Sequence, residues 1–433
     1  MPRRARHEPL RVLLNNRLVG QLRKAASGAT EFRYDLSWLE WEQALPVSLS
    51  MPLREDAFRG QTVAAVFDNL LPDSDALRRR IADRVGAAGT DAWSLLAAIG
   101  RDCVGALQFV MGDEVHDDGL SGESVDAAAI ERLLKGLANA PLGLTRGDDF
   151  RISIAGAQEK TALLRHGGKW LKPHGTTPTT HILKPQIGAL PNGIDLSNSV
   201  ENEYYCLRLA AAFGLPVSKA EIATFGKATA LVVERFDRRW TRDGRLLRVP
   251  QEDCCQALAV PPTRKYQSDG GPDLKAVLTL LKGSDDPAAD QATVVKAQIL
   301  FWLIGATDGH AKNFSIFLGP GGRYGLTPLY DILTAQPSLD AGQIRRRQMK
   351  LAMSVGTNRH YHTDDIVGRH FVQTAEAAGL PKTLVHNAIE ATVDTAQAAL
   401  AKVEHELPKR FPEAIHASVK AAVIRRLKAL RVT

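Results

Sequence analysis

The sequence predicts an α+β protein with two lobes, in which a β-rich part precedes a mostly helical part. The stretch from Asp149 to Trp240 alternates apolar and polar residues and favours the order β-β-β-α-β. After GSDDPAAD, at 283–290, the chain is mainly helical, with short extended segments. Its most apolar run, ILFWLIG at 299–305, leads directly into the polar cluster ATDGHAKNF at 306–314. A polar cluster fixed at the end of a buried helix is typical of a cleft that holds reactive groups.

Length and composition restrict the class of protein. A chain of 433 residues exceeds what one hydrophobic core usually spans, and 44% hydrophobic with 24% charged residues excludes wholesale disorder. The net charge of +7 is too small to indicate nucleic-acid binding by itself. Four cysteines without C-x-x-C spacing indicate reduced, buried thiols. No apolar signal segment or bilayer-length run occurs, so a cytoplasmic protein that does not bind membranes is expected.

Composition shifts divide the chain into four parts. LRVLLNNRLVGQL predicts a hairpin around Asn15 and Asn16. The later stretch AAVFDNLLPDSDALRRRIADRVG is predicted to be helical, and Asp73 or Ser74 is the N-cap of its second half. An acidic, Gly- and Ser-rich stretch then predicts a linker ahead of a helix. The predicted parts are an N-terminal α+β subdomain (1–115), the linker and helix (116–148), a β-rich part (149–240) and a helical lobe (241–433).

Three polar residues of the helical lobe have the order that phosphoryl transfer requires. In protein kinases the catalytic aspartate precedes a metal-binding asparagine, and a second acidic metal ligand follows further along the chain. Here Asp308 precedes Asn313 by five positions, and Asp331 in TPLYDI comes later. Carboxylate and amide oxygens suit Mg²⁺. The spacing predicts a base at Asp308 and magnesium ligands at Asn313 and Asp331.

The β-rich part supplies candidates for binding the nucleotide. Lys184 in HILKP ends a predicted strand and is placed to contact phosphates. Glu201 or Glu203 on the next helix is placed to hold this lysine, and spacing does not choose between the two. The small-residue turn 155–161, AGAQEKT, is the candidate phosphate-covering loop, and LVVERF at 231–236 is the candidate adenine-binding strand.

Each of these patterns is weak alone. The turn matches neither G-x-x-x-x-G-K-S/T nor G-x-G-x-x-G, and a plain hairpin is its alternative. A helix cap is the alternative for Asp331. For His310, a hydrogen-bonded structural role is favoured over a metal ligand, because no second histidine lies at a ligand spacing. All five features nevertheless occur in kinase order, which favours a protein-kinase-like fold.

Several longer blocks resemble one family. FRISIAGAQEKTALL, PTTHILKP, SVENEYYCLRLA, VERFDRRW, VPQEDCCQ, KYQSDGGP, WLIGATDGHAKNFSIF and LTPLYDILTA are similar to the HipA family of serine/threonine kinase toxins from bacterial toxin–antitoxin systems. FDNLLPDS and IGRDCVGALQF extend the resemblance into the N-terminal subdomain. The resemblance covers nearly the whole chain.

The resemblance implies a role for each matching position. Asp308 matches the catalytic base, and Asn313 and Asp331 match the Mg²⁺ ligands. Ser153 matches a serine that family members autophosphorylate, and this phosphorylation displaces the phosphate-covering loop. Independently, the strand alternation directs the Ser153 hydroxyl away from the apolar face of the strand. The alternative is an ordinary serine that faces solvent. The implied ATP-binding residues are Ala155, Gly156, Ala157, Gln158, Glu159, Lys160, Lys184, Glu234, Arg235, Phe236, His310, Lys312, Asn313 and Asp331.

The implied function is an ATP- and Mg²⁺-dependent kinase of a translation protein, such as an aminoacyl-tRNA synthetase. A dimeric helix-turn-helix antitoxin of the HipB type is the expected inhibitor, and operator DNA is expected to be reached only through that complex. Arg345, Arg346 and Arg347 are the first candidates for DNA contact, whereas the basic residues of the C-terminal helix, including Arg426, are expected to form a solvated face. The alternatives are a non-catalytic corepressor that scaffolds the antitoxin and a small-molecule kinase.

Overall fold

The computed structural model describes residues 7–112, 119–145, 147 and 149–431. Residues 113–118, at the predicted boundary between the N-terminal subdomain and the linker, lie outside the described residues. The described chain forms two compact units. The first comprises the residues up to Pro185 together with Ala223–Thr263 and Ile316–Tyr324, and the second comprises Gln186–Ile222, Arg264–Ser315 and the chain from Gly325 onward.

The N-terminal part of the first unit is an antiparallel sheet with helices packed on it. Within the described residues to 112 the strands β1–β5 are Leu10–Leu14, Arg17–Lys24, Thr30–Tyr34, Phe58–Arg59 and Leu107–Val110, and the helices α1–α4 are Leu36–Leu39, Gln61–Asp68, Asp75–Val85 and Ala92–Ile99. The sheet order is β4-β3-β2-β1-β5. The predicted hairpin is confirmed: Asn15 and Asn16 both have positive φ, as a tight two-residue turn requires. Ser74 caps α3.

A second sheet follows in the same unit. From residue 119 to 253 the strands β6–β16 are Gly122–Val125, Thr161–His166, Lys169–Pro173, His181–Pro185, Gly188–Ala189, Asp195–Leu196, Ala220–Phe225, Ala228–Glu234, Arg238–Trp240, Leu246–Arg248 and Gln251–Asp253, and the helices α5 and α6 are Ala127–Gly136 and Ser199–Ala212. Of these, β10, β11 and α6 belong to the second unit. Six strands have the order β12-β13-β9-β7-β8-β6. Helix α5 covers this sheet, because its apolar residues Ile130, Leu134 and Leu137 pack with Leu163 and Leu183.

Two predicted elements differ from the structure. The predicted linker contains an edge strand, β6, which pairs with β8 although its own residues are mostly polar and exposed. The predicted strand at Phe150–Ile154 is extended chain with one isolated bridge, Asp102↔Ile152, and joins no ladder. Its alternation reflects apolar side chains that are buried without strand pairing, since Phe150, Ile152 and Ile154 are each at most 3% exposed.

The second unit is mostly helical, as predicted. From residue 254 to 431 the strands β17–β20 are Ser315–Leu318, Tyr324–Leu326, Lys350–Val355 and His360–His362, and the helices α7–α13 are Cys254–Ala257, Leu274–Leu280, Pro287–Ile304, Gln336–Asp340, Gly368–Ala377, Lys382–Glu406 and Glu413–Leu430. Of these, α7 and most of β17 belong to the first unit. Helix α9 is buried around most of its circumference. Asp286 caps its start, and Gly305 ends it in the left-handed conformation. This rigid helix positions the polar cluster that follows.

Candidate active site

The loop after α9 is fixed by close packing. A Cβ atom at Gly309 would approach Cδ2 of Phe301 to 2.5 Å, and Gly305 has a φ of 70°, so a side chain would be strained at both positions. The turn 305–310 between them carries Asp308, whose side chain is exposed. A rigid helix end therefore presents a solvent-accessible carboxylate.

Asp308 is oriented by two neighbours. The phenol of Tyr266 donates a hydrogen bond to its Oδ1 at 2.6 Å. Its backbone carbonyl accepts from the His310 amide at 2.8 Å and from Nδ2 of Asn313 at 2.8 Å. The rings of Tyr266 and His310 pack edge to face, with centroids 4.9 Å apart. Because this carboxylate is both exposed and held in place, it is well suited to accept a proton from an incoming hydroxyl.

Asn313 and Asp331 offer the oxygen atoms that magnesium prefers. The bond from Nδ2 of Asn313 to a carbonyl requires the amide nitrogen on that side, which makes Oδ1 the atom that can serve as a ligand. Asp331 has a φ of 57°, an uncommon conformation for a residue other than glycine and one that is often found at functional sites. This donor set fits Mg²⁺ when the phosphates of a nucleotide complete the coordination.

One small pocket in the second unit brings the three predicted catalytic residues together. Asp308, Asn313 and Asp331 all line it, with apolar walls that include Phe301 and Ile332. Among the described residues no group of three His, Cys, Asp or Glu side chains could hold a metal by itself. A cation in this pocket therefore depends on one carboxylate, one amide and oxygen atoms brought by the substrate.

The rest of the loop is buried. His310 is 3% exposed, which suits the structural role predicted for it, and Lys312 is 6% exposed. The carbonyl of Lys312 accepts from the Tyr330 hydroxyl at 3.0 Å, and Tyr330 lies 2.5 Å from Oγ of Ser315. Sequence reasoning assigned no role to Tyr266 or Tyr330. Their only signal was that they lie within the blocks KYQSDGGP and LTPLYDI.

The candidate phosphate loop belongs to the first unit, and contacts from the N-terminal part hold it. Gly156 has a φ of 103° and forms a parallel bridge with Pro72. Glu159 pairs with Arg80 at 2.7 Å. Lys160 is 5% exposed, and its Nζ donates to the carbonyl of its own loop residue Ala155 at 2.7 Å. Nε2 of Gln158 reaches the carbonyl of Pro185 at 3.3 Å, and Ala157 is exposed at the tip.

Ser153 is fully buried, contrary to the solvent-facing alternative. Its Oγ donates to the carbonyl of Leu70 at 2.7 Å, and its amide donates to the carbonyl of Asp102 at 2.9 Å. The hydroxyl does point away from the apolar residues on either side, but it faces the N-terminal part and not water. The cause is the isolated bridge at Ile152, which brings this segment against Asp102.

Lys184 and the two candidate glutamates are placed within separate units. Lys184 lies on β9, paired with Leu231 of β13, and is 7% exposed. On α6, Glu201 accepts from Gln186 at 2.7 Å, and Glu203 is 2% exposed. The choice between Glu201 and Glu203 stays open.

Arg235, in the candidate adenine-binding segment, belongs to a buried charge cluster. Its guanidinium donates to Asp237 at 2.7 Å, to Thr179 at 2.9 Å and to Asp102 at 3.3 Å, and its amide donates to Thr180. These groups of Arg235 are therefore engaged inside the first unit. Glu234 is the last residue of β13 and is exposed, and Phe236 packs edge to face on Phe317.

Asp102 is the centre of this cluster, which we call the Asp102 cluster. Arg238 and Arg248 donate to its Oδ1 at 2.8 and 3.0 Å. Burial alone would raise the pKa of Asp102, but the charges of Arg238, Arg248 and Arg235 hold it well below its ordinary value. Burial, and then the charge of Arg235, lower the pKa of Arg238 to about 10. The cluster joins the end of α4 to the strands that follow β13.

The basic segments differ from each other. Arg345, Arg346 and Arg347 are accessible to solvent, and Arg346 lies 3.6 Å from Asp364. The expectation that Arg426 belongs to a solvated face is wrong. It is 4% exposed, and its guanidinium donates to the Leu303 carbonyl at 2.9 Å and to Gln336 at 3.1 Å. Helix α13 therefore anchors the end of α9 with a buried cation.

The thiol prediction is confirmed. Cys103, Cys206, Cys254 and Cys255 are all buried, and none of them forms a disulfide. Burial raises the pKa of Cys103 to about 12 and that of Cys254 well above its ordinary value. Within the part of the chain that the structure describes, no helix is both long and apolar enough to cross a membrane.

Comparison with known proteins places the chain in a family. The HipA N-terminal domain matches residues 10–110, and the HipA-like C-terminal domain matches residues 152–400. The chain is 36% identical over 402 residues to the putative kinase Y4mE of Sinorhizobium fredii, covering 91% of both chains. It is 27% identical over 413 residues to the serine/threonine-protein kinase toxin HipA of Shewanella oneidensis, covering 92% of this chain and 90% of that one.

A solved structure shares the fold. HipA of Shewanella oneidensis, in its complex with HipB and operator DNA, matches with a TM-score of 0.80 at 24% identity and covers 98% of both chains. The two domain matches occupy most of the sequence, and the domain that carries the pocket spans more than half of it. The chain therefore belongs to the HipA family.

Proposed function

We propose that this protein is an ATP- and Mg²⁺-dependent serine/threonine-protein kinase that acts as the toxin of a toxin–antitoxin system. The observation that carries the proposal is the shared pocket of Asp308, Asn313 and Asp331, with the Asn313 amide fixed by its bond to the Asp308 carbonyl. An exposed carboxylate beside an amide and a carboxylate has the chemistry that phosphoryl transfer needs. Family membership and the toxin relative support the same conclusion.

Each group has a distinct part in the proposed reaction. Asp308 accepts the proton of the acceptor hydroxyl, and Tyr266 holds the carboxylate in position. Asn313 and Asp331 hold Mg²⁺, which would neutralise charge on the phosphates. Lys184, Lys312 and the loop 155–160 bind phosphates, and the segment 234–236 contacts the adenine. To contact a phosphate, Nζ of Lys160 must break its hydrogen bond to the carbonyl of Ala155.

Regulation and substrate are further parts of the proposal. Ser153 is the proposed autophosphorylation site, and phosphate there switches the enzyme off. A dimeric helix-turn-helix antitoxin neutralises the kinase and takes it to operator DNA, where Arg345 to Arg347 approach phosphates. The substrate is a protein of the translation apparatus, whose loss of function arrests growth and promotes persistence in the cytoplasm. The HipA–HipB–operator structure of the relative supports the antitoxin and DNA components.

The test uses labelled ATP, Mg²⁺ and a cell lysate with the full chain. Asp308→Asn should abolish transfer while ATP binding persists, because a base acts on the acceptor and not on the nucleotide. Asp331→Ala should also weaken Mg·ATP binding, because it removes a metal ligand. If Asp308→Asn labelled its substrates at the same level as the wild-type protein, Asp308 would not be the base. Absence of any transfer by the wild-type protein, with antitoxin binding intact, would favour the corepressor alternative.

A further inference from the structure

Two hairpins of the first unit come together where their strands end. His166 is the last residue of β7 and pairs with Lys169 across the turn to β8. Trp240 is the last residue of β14 and pairs with Leu246 of β15. The rings of His166 and Trp240 stack with centroids 4.9 Å apart and an interplanar angle of 26°. This stack brings the ends of the two hairpins into contact.

The surface around this stack is strongly basic. The exposed charged residues of the two hairpins are five cations and one carboxylate: Arg165, Lys169, Arg239, Arg242, Arg245 and Asp243. Asp243 pairs with Arg245 at 2.8 Å. Within the described part of the chain, Lys169, Arg239 and Arg242 form no ion pair. Three neighbouring cations outside any ion pair of the described residues repel one another, and this arrangement favours an anionic partner.

Trp240 adds an aromatic surface to this charge. It is 40% exposed, while Trp38, Trp93 and Trp302 are buried. Its ring is supported from beneath by His166, so its orientation is fixed before any ligand arrives. A large apolar ring kept at the surface among arginines is a common recognition element, because a planar ligand can stack on it while cations contact its charges.

We propose that these residues bind single-stranded nucleic acid, and we call the surface the Trp240 platform (His166, Lys169, Arg239, Trp240, Arg242 and Arg245). An unpaired base stacks on the exposed indole, and the adjacent cations contact the phosphates on either side. A duplex encloses the faces of its bases, and an acidic peptide lacks planar faces to stack. The combination of a fixed ring with Lys169, Arg239 and Arg242, which form no ion pair among the described residues, therefore favours a single strand over both. None of these residues belongs to the proposed ATP site, so the two proposals stand independently.

The experiment measures fluorescence anisotropy of a labelled oligothymidylate of about 16 nucleotides with the full-length protein at several salt concentrations. Trp240→Ala should weaken binding by about tenfold or more, and Trp240→Phe should retain most of it, because a smaller ring still stacks. Arg239→Ala with Arg242→Ala should lower the salt dependence by about 0.7 per lost phosphate contact. The matched control is Arg79→Ala with Arg132→Ala, which removes two exposed arginines from helices of the same unit.

The controls also separate the possible partners. A duplex of equal length and a polyglutamate peptide serve as competitors, and nucleotide binding by each variant confirms that it is folded. Weaker competition by both than by unlabelled oligothymidylate supports the proposal. The proposal would be overturned if Trp240→Ala bound oligothymidylate with unchanged affinity, or if the Arg79/Arg132 control lost as much affinity as the Arg239/Arg242 variant. Absence of saturable binding at about 0.15 M salt would also overturn it. Preferred binding of polyglutamate would assign the platform to an acidic protein instead.

Discussion

The hydroxyl of Ser153 donates to the carbonyl of Leu70 at 2.7 Å in a site without solvent exposure. The contact holds the segment before the phosphate loop against the turn between α2 and α3. A phosphate on this oxygen would bring close to two negative charges and three acceptor atoms to a place built for one neutral donor. Phosphorylation at Ser153 therefore requires that the segment leave the N-terminal part.

Ser153→Asp should reproduce this release. A buried carboxylate facing a carbonyl oxygen is unfavourable, so we expect faster hydrogen exchange across residues 150–160 and weaker ATP binding. Ser153→Ala removes one buried hydrogen bond and should cost about 1–3 kcal/mol of stability, since the Leu70 carbonyl loses its donor. Exchange mass spectrometry and nucleotide titration provide the measurements, with Ser27→Asp as an exposed control. Native-like exchange and ATP affinity in Ser153→Asp would show that the segment does not control the loop.

Tyr266→Phe tests how the proposed base is held. The phenol donates to Oδ1 of Asp308 at 2.6 Å, and a hydrogen bond to a charged group contributes about 1.5–3 kcal/mol. We expect kcat to fall by roughly tenfold or more, with ATP affinity unchanged, because the tyrosine orients the base and does not bind the nucleotide. Steady-state kinetics distinguish the two parameters. Tyr361→Phe, a half-buried tyrosine of β20, is the control; equal effects of the two changes would remove the positioning role from Tyr266.

The sequence predicted the fold best where the residue type matches the local backbone conformation. Asn15 and Asn16 adopt the positive φ that their residue types tolerate, and Gly305 ends α9 where an apolar run meets polar residues. Asp308 and Asn313, whose spacing predicts a base and a metal ligand, line the same pocket because the loop between them forms one compact turn. These features depend on neighbours in sequence.

Features that depend on distant residues were missed. Ser153 appeared solvent-facing because its partners, Leu70 and Asp102, are 83 and 51 positions away, and the sequence does not reveal that pairing. Arg426 appeared exposed because burial of a cation requires carbonyl acceptors that only the folded α9 and α10 supply. Tyr266 reaches Asp308 across 42 positions. Long-range hydrogen bonds leave no periodic trace in the chain.

Asp102→Asn tests the Asp102 cluster. The change leaves Arg235, Arg238 and Arg248 with one buried carboxylate, Asp237, in place of two. Removing one partner of a buried ion pair typically costs about 3–5 kcal/mol, because the remaining charges stay desolvated. Urea denaturation of the full chain should show a loss of this size. The control is Asp149→Asn, an exposed partner of Arg101, for which we expect little change; a similarly small effect at Asp102 would show that the cluster is not held by its charges.

Glu252 should make stability fall as the pH rises. Burial raises the pKa of this carboxyl from 4.5 to about 8. The Leu49 amide donates to Oε1 at 2.8 Å and opposes this shift only in part. The other oxygen, Oε2, is buried and has no hydrogen-bond partner among the described residues. Between these two values the folded protein keeps a proton that the unfolded chain has released. Stability therefore declines across that window, by up to about 1.4 kcal/mol per pH unit, and becomes level above it.

Glu252→Gln should remove this dependence. The amide keeps an acceptor for Leu49 and carries no charge, so the variant should match the wild type near pH 5 and exceed it near pH 8 in free energy of unfolding. The neighbouring ionisable groups do not explain a difference between the two proteins in the pH range from 4.5 to about 8. Burial raises the pKa of Tyr34 above its already high ordinary value, and Asp253 is present in both proteins. Urea titrations at the two pH values give the comparison, with Glu42→Gln as the exposed control. A pH slope in Glu252→Gln equal to that of the wild type would mean that Glu252 is ionised throughout, and that another group sets the dependence.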